Sequence, residues 1–351
     1  MTNRPDHPLP SARRRPPAVL LLLLSVTLLL IAAIAALAIG RAMLSPGDVI
    51  AVLTHPLTGK GEVPLANKTI VMGVRLPRVV AAAMIGGALA VSGTAYQGLF
   101  RNPMVSPDIL GASTGASFGA TLALLLSTSR SGVQAAAFVG GVIAVLLTYT
   151  SARKIGRGTD QVLLLVLCGM IVSALFQAFV SAVKYTADPD SKLPEITYWL
   201  MGSIAKVTWP DLALYAIPFT VGLVPIIALR WRLNALAFGE EEAESLGVNV
   251  VALRATCIVC ATLLTASSVA ISGVISWIGL IMPHLVRFIA GPDNRIVVPL
   301  SIILGGAFLV LVDTACHTII ASEIPLGILT SVIGAPLFFV ILVNGRRAGR
   351  S

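Results

Sequence analysis

AVLLLLLSVTLLLIAAIAALAIG, residues Ala18 to Gly40, is an uncharged run of 23 residues. Coiled as a helix it is long enough to cross the roughly 30 Å hydrocarbon core of a bilayer. In lipid each span must satisfy its own backbone hydrogen bonds, so such a run is helical. Arg13-Arg14-Arg15 precede it, as in a secretory signal, and Ala36-Leu37-Ala38 could serve as a cleavage site. The run exceeds the usual apolar core of a signal, and we read it as a retained first span.

Outward from this run the pattern repeats. Further apolar runs occur at Val79–Leu99, Ile109–Leu126, Val133–Ala152, Val162–Val183, Leu212–Leu229, Ala255–Ile271, Val274–Val286, Ile296–Ile320 and Ile324–Val343, making ten in all. The chain is 56% hydrophobic and only 12% charged, too little polar surface to solvate a globule of 351 residues. The eighth run is short for a span, and the basic residues arbitrate, because Lys and Arg near span ends favour the cytoplasm. With ten spans and an inner N-terminus, 16 of the 25 basic residues lie inside; deleting the eighth span leaves 11 inside against 14 outside. The expected fold is therefore an all-α polytopic membrane protein with about ten transmembrane helices and both termini cytoplasmic. Residues 1–17 form an inner tail, 18–345 a single membrane domain, and 346–351 a second inner tail.

Several function classes fall away. The net charge of +9 is not interleaved with aromatics as a nucleic-acid surface would be. Cys168, Cys257, Cys260 and Cys316 all sit in apolar runs, where cysteine packs as a small hydrophobe. Cys257 and Cys260 have C-x-x-C spacing without a second ligand pair, and His284 has no ligand at i+4, so no metal site is expected. No G-x-x-x-x-G-K-[ST] loop occurs, so this chain does not itself cradle the phosphates of ATP. The small residues of Ile85-Gly86-Gly87-Ala88 and Gly111–Ser117 suit close helix packing. Ser113, Thr114, Ser117, Ser173 and Gln177 are candidates for a polar path, although a hydroxyl in a span often bonds its own backbone. Asp313 is the one carboxylate expected inside a span.

The inner segment 234–249 carries Gly239-Glu240-Glu241-Glu242-Ala243-Glu244-Ser245-Leu246-Gly247. Most charge runs are solvated faces of loop helices. This one is compact and bounded by glycine at both ends. It reads as a short helix lying across the membrane face, suited to a soluble partner pressing on the bundle.

At this point the sequence resembles the permease family of type II ABC importers, which move iron–siderophores, haem and cobalamin. The resemblance rests on four stretches: Arg75-Leu76-Pro77-Arg78; Gln97-Gly98-Leu99-Phe100-Arg101-Asn102-Pro103-Met104 with Pro107-Asp108-Ile109-Leu110-Gly111; Gly239–Gly247; and Gly273–His284 with Pro325-Leu326-Gly327-Ile328-Leu329-Thr330. It is collinear from about residue 40 to the C-terminus. It implies a homodimer in a bacterial inner membrane, two cytoplasmic ABC ATPases that hold ATP and Mg, a periplasmic binding protein, and no cofactor on this chain. Gly239–Gly247 would be the ATPase-coupling helix. Arg75 and Arg78 would dock the binding protein, guanidinium to carboxylate, although a basic residue there also suits a snorkelling anchor. Many relatives carry a further docking arginine where this chain has His317. Asn102, Met104 and Thr159 would belong to a cytoplasmic gate, with a proline-forced turn at Asn102-Pro103 as the simpler reading.

An ion-coupled secondary transporter is the alternative. It calls for acidic residues or broken helices near the midplane in both halves of an inverted repeat, and only Asp313 qualifies. An intramembrane enzyme needs a nucleophile and base or a metal cluster at membrane depth, and none is evident. For the importer, the expected cargo is a large metal chelate, with iron–siderophore favoured over haem or cobalamin.

Overall fold

The computed structural model describes residues 16–40, 42–59, 63–156, 161–320 and 322–348, and every regular element among them is helical. In chain order these are α1 (Ala18–Ala38), α2 (Pro46–Thr58), α3 (Leu65–Leu99), α4 (Ala112–Leu125), α5 (Arg130–Ile155), α6 (Gln161–Thr186), α7 (Lys192–Leu200), α8 (Trp209–Leu229), α9 (Arg232–Ala235), α10 (Glu240–Ser245), α11 (Val250–Ser272), α12 (Ile278–Ala290), α13 (Asn294–Thr318) and α14 (Leu326–Ala348). Eight are long and apolar enough to cross a bilayer, and α4 and α12 are shorter apolar helices. These ten correspond one to one with the ten expected spans.

Helix α3 is the mast of the bundle: 83% of its most apolar window is buried, against 11% for α1 and 22% for α8. Glycine makes this burial possible. A Cβ at Gly86 would strike the Gly305 carbonyl on α13, and one at Gly93 would strike the Gly279 backbone on α12. Gly115 on α4 meets Gly140 on α5 in the same way. With no hydrophobic effect to separate helix from lipid, such backbone approach supplies dispersion contact along the whole seam.

At the outer end three segments join through their backbones. Leu326 N donates to Gly202 O at 2.9 Å, Gly327 N to Met201 O at 2.9 Å, and Ser203 N to Ser272 O at 2.7 Å. Gly202 and Gly273 hold φ of 77° and 69°, a region that favours glycine.

The boundaries depart from the sequence reading at several spans. The second span begins at Leu65 rather than Val79, passing through a π-helical stretch at Thr69–Arg75. Pro77 follows that stretch; the wider turn spares the clash a proline ring makes with the carbonyl four residues back. Arg75 and Arg78 therefore lie within a continuous helix and not at its outer end. The third span starts not at Ile109 but at Ala112, after a 3-10 turn at Pro107–Leu110 and left-handed Gly111. The eighth runs from Ile278 to Ala290, four residues later than expected, because Gly273 to Trp277 are non-helical and Trp277 has φ 74°. The outer loops also carry α2, closed by a Ser45/Asp48 capping box and left-handed Gly59, and α7. The last helix runs on to Ala348, into the expected inner tail.

Overpacking a tight seam costs about 1–3 kcal/mol. Gly93→Ala should therefore lower the thermal midpoint of the purified protein by several degrees. Gly47→Ala, whose Cβ would meet nothing closer than Ser45 Oγ at 3.6 Å, should leave it unchanged.

Candidate functional site

Two clusters occupy opposite ends of the bundle. On the inner side, α8 leads through α9 and a 3-10 turn (Leu236–Phe238) to Gly239, whose φ of 128° redirects the chain into α10. Glu240, Glu241 and Glu242 fill the first turn of α10, where the N-terminal end of the helix dipole favours negative charge. Left-handed Gly247 ends the element. Its inward side is Leu233, Leu236, Ala243 and Val248, each at most 3% exposed. Glu241, Glu242, Glu244 and Ser245 face solvent, with Phe238 and Leu246 exposed among them.

The element is pinned in its approach and at the first residue of α10. Arg254, buried at the start of α11, donates Nη1 to Gln161 Oε1 at the first residue of α6, 2.6 Å away, and Nη2 to Glu240 Oε1. Asn234 Nδ2 donates to Asp293 Oδ1 at 2.6 Å, and Asn234 Oδ1 accepts from Asn294 N at 2.8 Å. One surface helix is thereby joined to α6, α11 and α13. The sequence reading missed Arg254, Gln161, Asn234 and Asp293. Their partners are up to 93 residues distant, so no local spacing could have marked them.

Of the expected gate residues, Asn102 and Met104 sit together on the inner turn after α3. Met104 N donates to Asn102 Oδ1 at 2.9 Å, and Met104 is 48% exposed. Thr159 lies outside the described residues. Buried Gln97 organises this turn. Its Nε2 donates to Val105 O and Leu280 O, both at 3.2 Å, and its Oε1 accepts from Arg287 Nη1.

At the outer end, Arg78 grips Asp313 with two bonds, Nε to Oδ2 at 2.7 Å and Nη2 to Oδ1 at 2.9 Å, and donates Nη1 to Glu323 at 2.9 Å. His317 Nδ1 lies 2.7 Å from Asp313 O and 4.0 Å from its Oδ2. Arg78 and His317 thus meet on Asp313, the one intramembrane carboxylate read from the sequence. Arg75 is turned elsewhere, onto the carbonyls of Leu37, Ala38 and Ala42 at 2.6, 3.0 and 2.5 Å. Both guanidiniums are engaged within the chain.

The candidates for a polar path separate. Ser113 and Ser117 are buried, bonding Asp108 and Ser113 O. Thr114 and Ser173 are half-buried, and Gln177 on α6 is exposed. Among the described residues no three His, Cys, Asp or Glu side chains cluster as a metal site would require. All four cysteines are buried and unpaired with one another.

Residues 28–344 match the family model described as the FecCD transport family. The molybdate import system permease protein MolB of Haemophilus influenzae is 38% identical over 90% of this chain and 93% of its own length. A probable iron chelatin transport system permease protein of Helicobacter pylori is 38% identical over 79% of this chain and 83% of its own. A solved structure described as an inward-facing, metal-chelate type ABC transporter superposes with a TM-score of 0.83 at 37% identity, covering 93% of this chain and 99% of that one.

Charge-assisted hydrogen bonds contribute about 1.5–3 kcal/mol each. Arg254→Ala should therefore raise amide hydrogen exchange across 239–248 by about tenfold or more, with little change in α13. Asp313→Ala leaves Arg78 without its main partner, and breaking such a buried pair costs about 3–5 kcal/mol. The thermal midpoint should drop sharply, and an Arg78→Met/Asp313→Leu double variant should recover most of the loss.

Proposed function

The chain belongs to the FecCD transport family, and from that premise we propose that it is the transmembrane subunit of an ATP-driven importer, paired as a homodimer in a bacterial inner membrane. The observation that carries this reading is the α9–α10 element. It is an acidic helix with exposed Phe238 and Leu246, held on the bundle by Ala243 from beneath, by Arg254 at its first residue and by Asn234 in its approach. Its exposed face suits a cleft in a soluble ATPase that supplies ATP and Mg. The links to α6 and α13 give a displacement of Gly239–Gly247 somewhere to go. ATP can drive such a change only if its binding favours one arrangement of this contact over the other.

The outer end is the proposed docking face for a periplasmic binding protein, with Arg75, Arg78 and His317 as its contacts. Glu323 is the group that an incoming carboxylate would displace from Arg78, since Glu323 is more exposed than Asp313. Asn102 and Met104, with Thr159, are the proposed inner gate. The exposed face of α6, with Gln177 among apolar residues, is the proposed wall of the pathway. The favoured cargo is an iron–siderophore or similar large metal chelate. The relative named for molybdate gives a second reading, a metal oxyanion.

Co-expression with partner ATPase and binding protein, followed by uptake assays in proteoliposomes, tests this. Glu241→Arg/Glu244→Arg should reduce uptake by about tenfold or more while the chain itself stays folded. Labelled ferric chelate entering while labelled molybdate does not would support the chelate, and the reverse would assign the oxyanion. Transport by the chain without any ATPase would contradict the importer and direct attention to Asp313 and ion coupling.

A further inference from the structure

A groove of about 490 Å³ lies between the inner ends of α8 and α13, lined by Val224, Ile227, Ala228, Arg230, Trp231 and Arg295. Its chemistry is divided. Three walls are aliphatic, while two guanidiniums from helices far apart in sequence stand at the rim. Among the described residues neither Arg230 nor Arg295 forms an ion pair. Arg230 makes only a long contact, Nη1 to Ile227 O at 3.4 Å. The acid beside them, Asp293, already accepts from Asn234 Nδ2 and from the backbone N of Arg295 on the same oxygen.

The groove opens onto a continuous apolar face. On α8, Leu214, Ile217, Val221 and Val224 project outward with exposures from 55% to 65%, and the line continues through Ala228 to the groove. An inner-leaflet acyl chain reaches about 15 Å to the bilayer midplane, the length of about ten helical residues. Counted back from Arg230, that covers Val224 and Val221. Trp231, 47% exposed with the Arg232 guanidinium 5.5 Å from its ring centroid, has the amphipathic character of residues that settle at headgroup level.

We propose that this groove binds an anionic phospholipid of the inner leaflet, its phosphate held between Arg230 and Arg295 and its acyl chains laid along α8. A soluble anion would meet the two charges but leave the aliphatic walls and the α8 stripe uncovered. A soluble protein would not reach down the stripe into the hydrocarbon. The lipid satisfies both halves, and basic pockets between helices on the cytoplasmic side are where such headgroups are held. The headgroup then rests one residue from α9, at the root of the α10 element, so occupancy steadies the approach to the coupling surface.

The test is native mass spectrometry of the complete transporter, released in mild detergent from membranes containing phosphatidylglycerol and phosphatidylethanolamine. Each arginine near an anionic surface contributes about fivefold in binding. Arg230→Gln/Arg295→Gln should thus reduce retained phosphatidylglycerol by about tenfold or more, while Arg153→Gln/Lys154→Gln, at the inner end of α5, should not. Ala228→Phe fills the groove and keeps both arginines, so it should also release the lipid. Inorganic phosphate at millimolar concentration should leave retention unchanged. Equal retention in wild type and the Arg230/Arg295 variant would overturn the site. So would full retention in Ala228→Phe, which would mark a diffuse surface-charge effect, displacement by phosphate alone, or loss of the ATPase subunit from the Arg230/Arg295 variant with lipid intact. The readout is bound lipid, so it stands or falls independently of whether the chain imports a chelate.

Discussion

The close approach of helix backbones along α3 is the constraint on which the rest of the molecule depends. Gly86 against Gly305 and Gly93 against Gly279 bring α13 and α12 near enough to bury the mast, and only a residue without a side chain permits it. Because α3 is fixed, its two ends are fixed. Its outer half presents Arg78 to Asp313 and Glu323. The inner end presents Gln97, which ties the Asn102–Met104 turn to α12 through Leu280 O and Arg287. Both clusters are consequences of one packed seam.

The inner surface element takes its meaning from the same rigidity. A short acidic helix on a mobile loop would yield to a partner without moving anything. Here Ala243 is fully buried beneath it, Arg254 binds its first glutamate and the start of α6 together, and Asn234 fastens its approach to the start of α13. The exposed glutamates are thereby linked to both α6 and α13. Within one chain α6 has 28% of its most apolar window buried and α13 has 61%, so α6 is the less tightly packed of the two.

Much of this was legible in the sequence, for physical reasons. Ten apolar runs become ten helices because lipid forces each segment to close its own hydrogen bonds, and the glycines bounding 239–247 produce the expected turns. The misreadings share a cause. Arg75 and Arg78 look like the end of a span because charge ordinarily stops one; in the fold, backbone carbonyls satisfy the first and two carboxylates the second, so α3 continues to Leu65. The third and eighth spans were misjudged where non-helical backbone runs inside apolar sequence, at Pro107–Gly111 and Gly273–Trp277, since hydropathy does not distinguish a buried turn from a helix. Ser113 and Ser117 look like lining residues and are packed instead, while Gln177 is outward. Which way a helix faces depends on neighbours, and hydropathy carries little of that. Arg254 and Asn234 stayed unmarked because their partners lie far along the chain.

The measurement that reaches the central claim most directly is site-directed cross-linking of the proposed coupling element to the proposed ATPase partner in membranes. All four native cysteines are buried, so Phe238→Cys and Leu246→Cys, at positions 74% and 67% exposed, provide clean reactive sites. The account predicts cysteine-dependent adducts between each variant and the ATPase subunit, with yields that change when ATP is added. Absence of any ATPase adduct from either position in an assembled, transporting complex would contradict it.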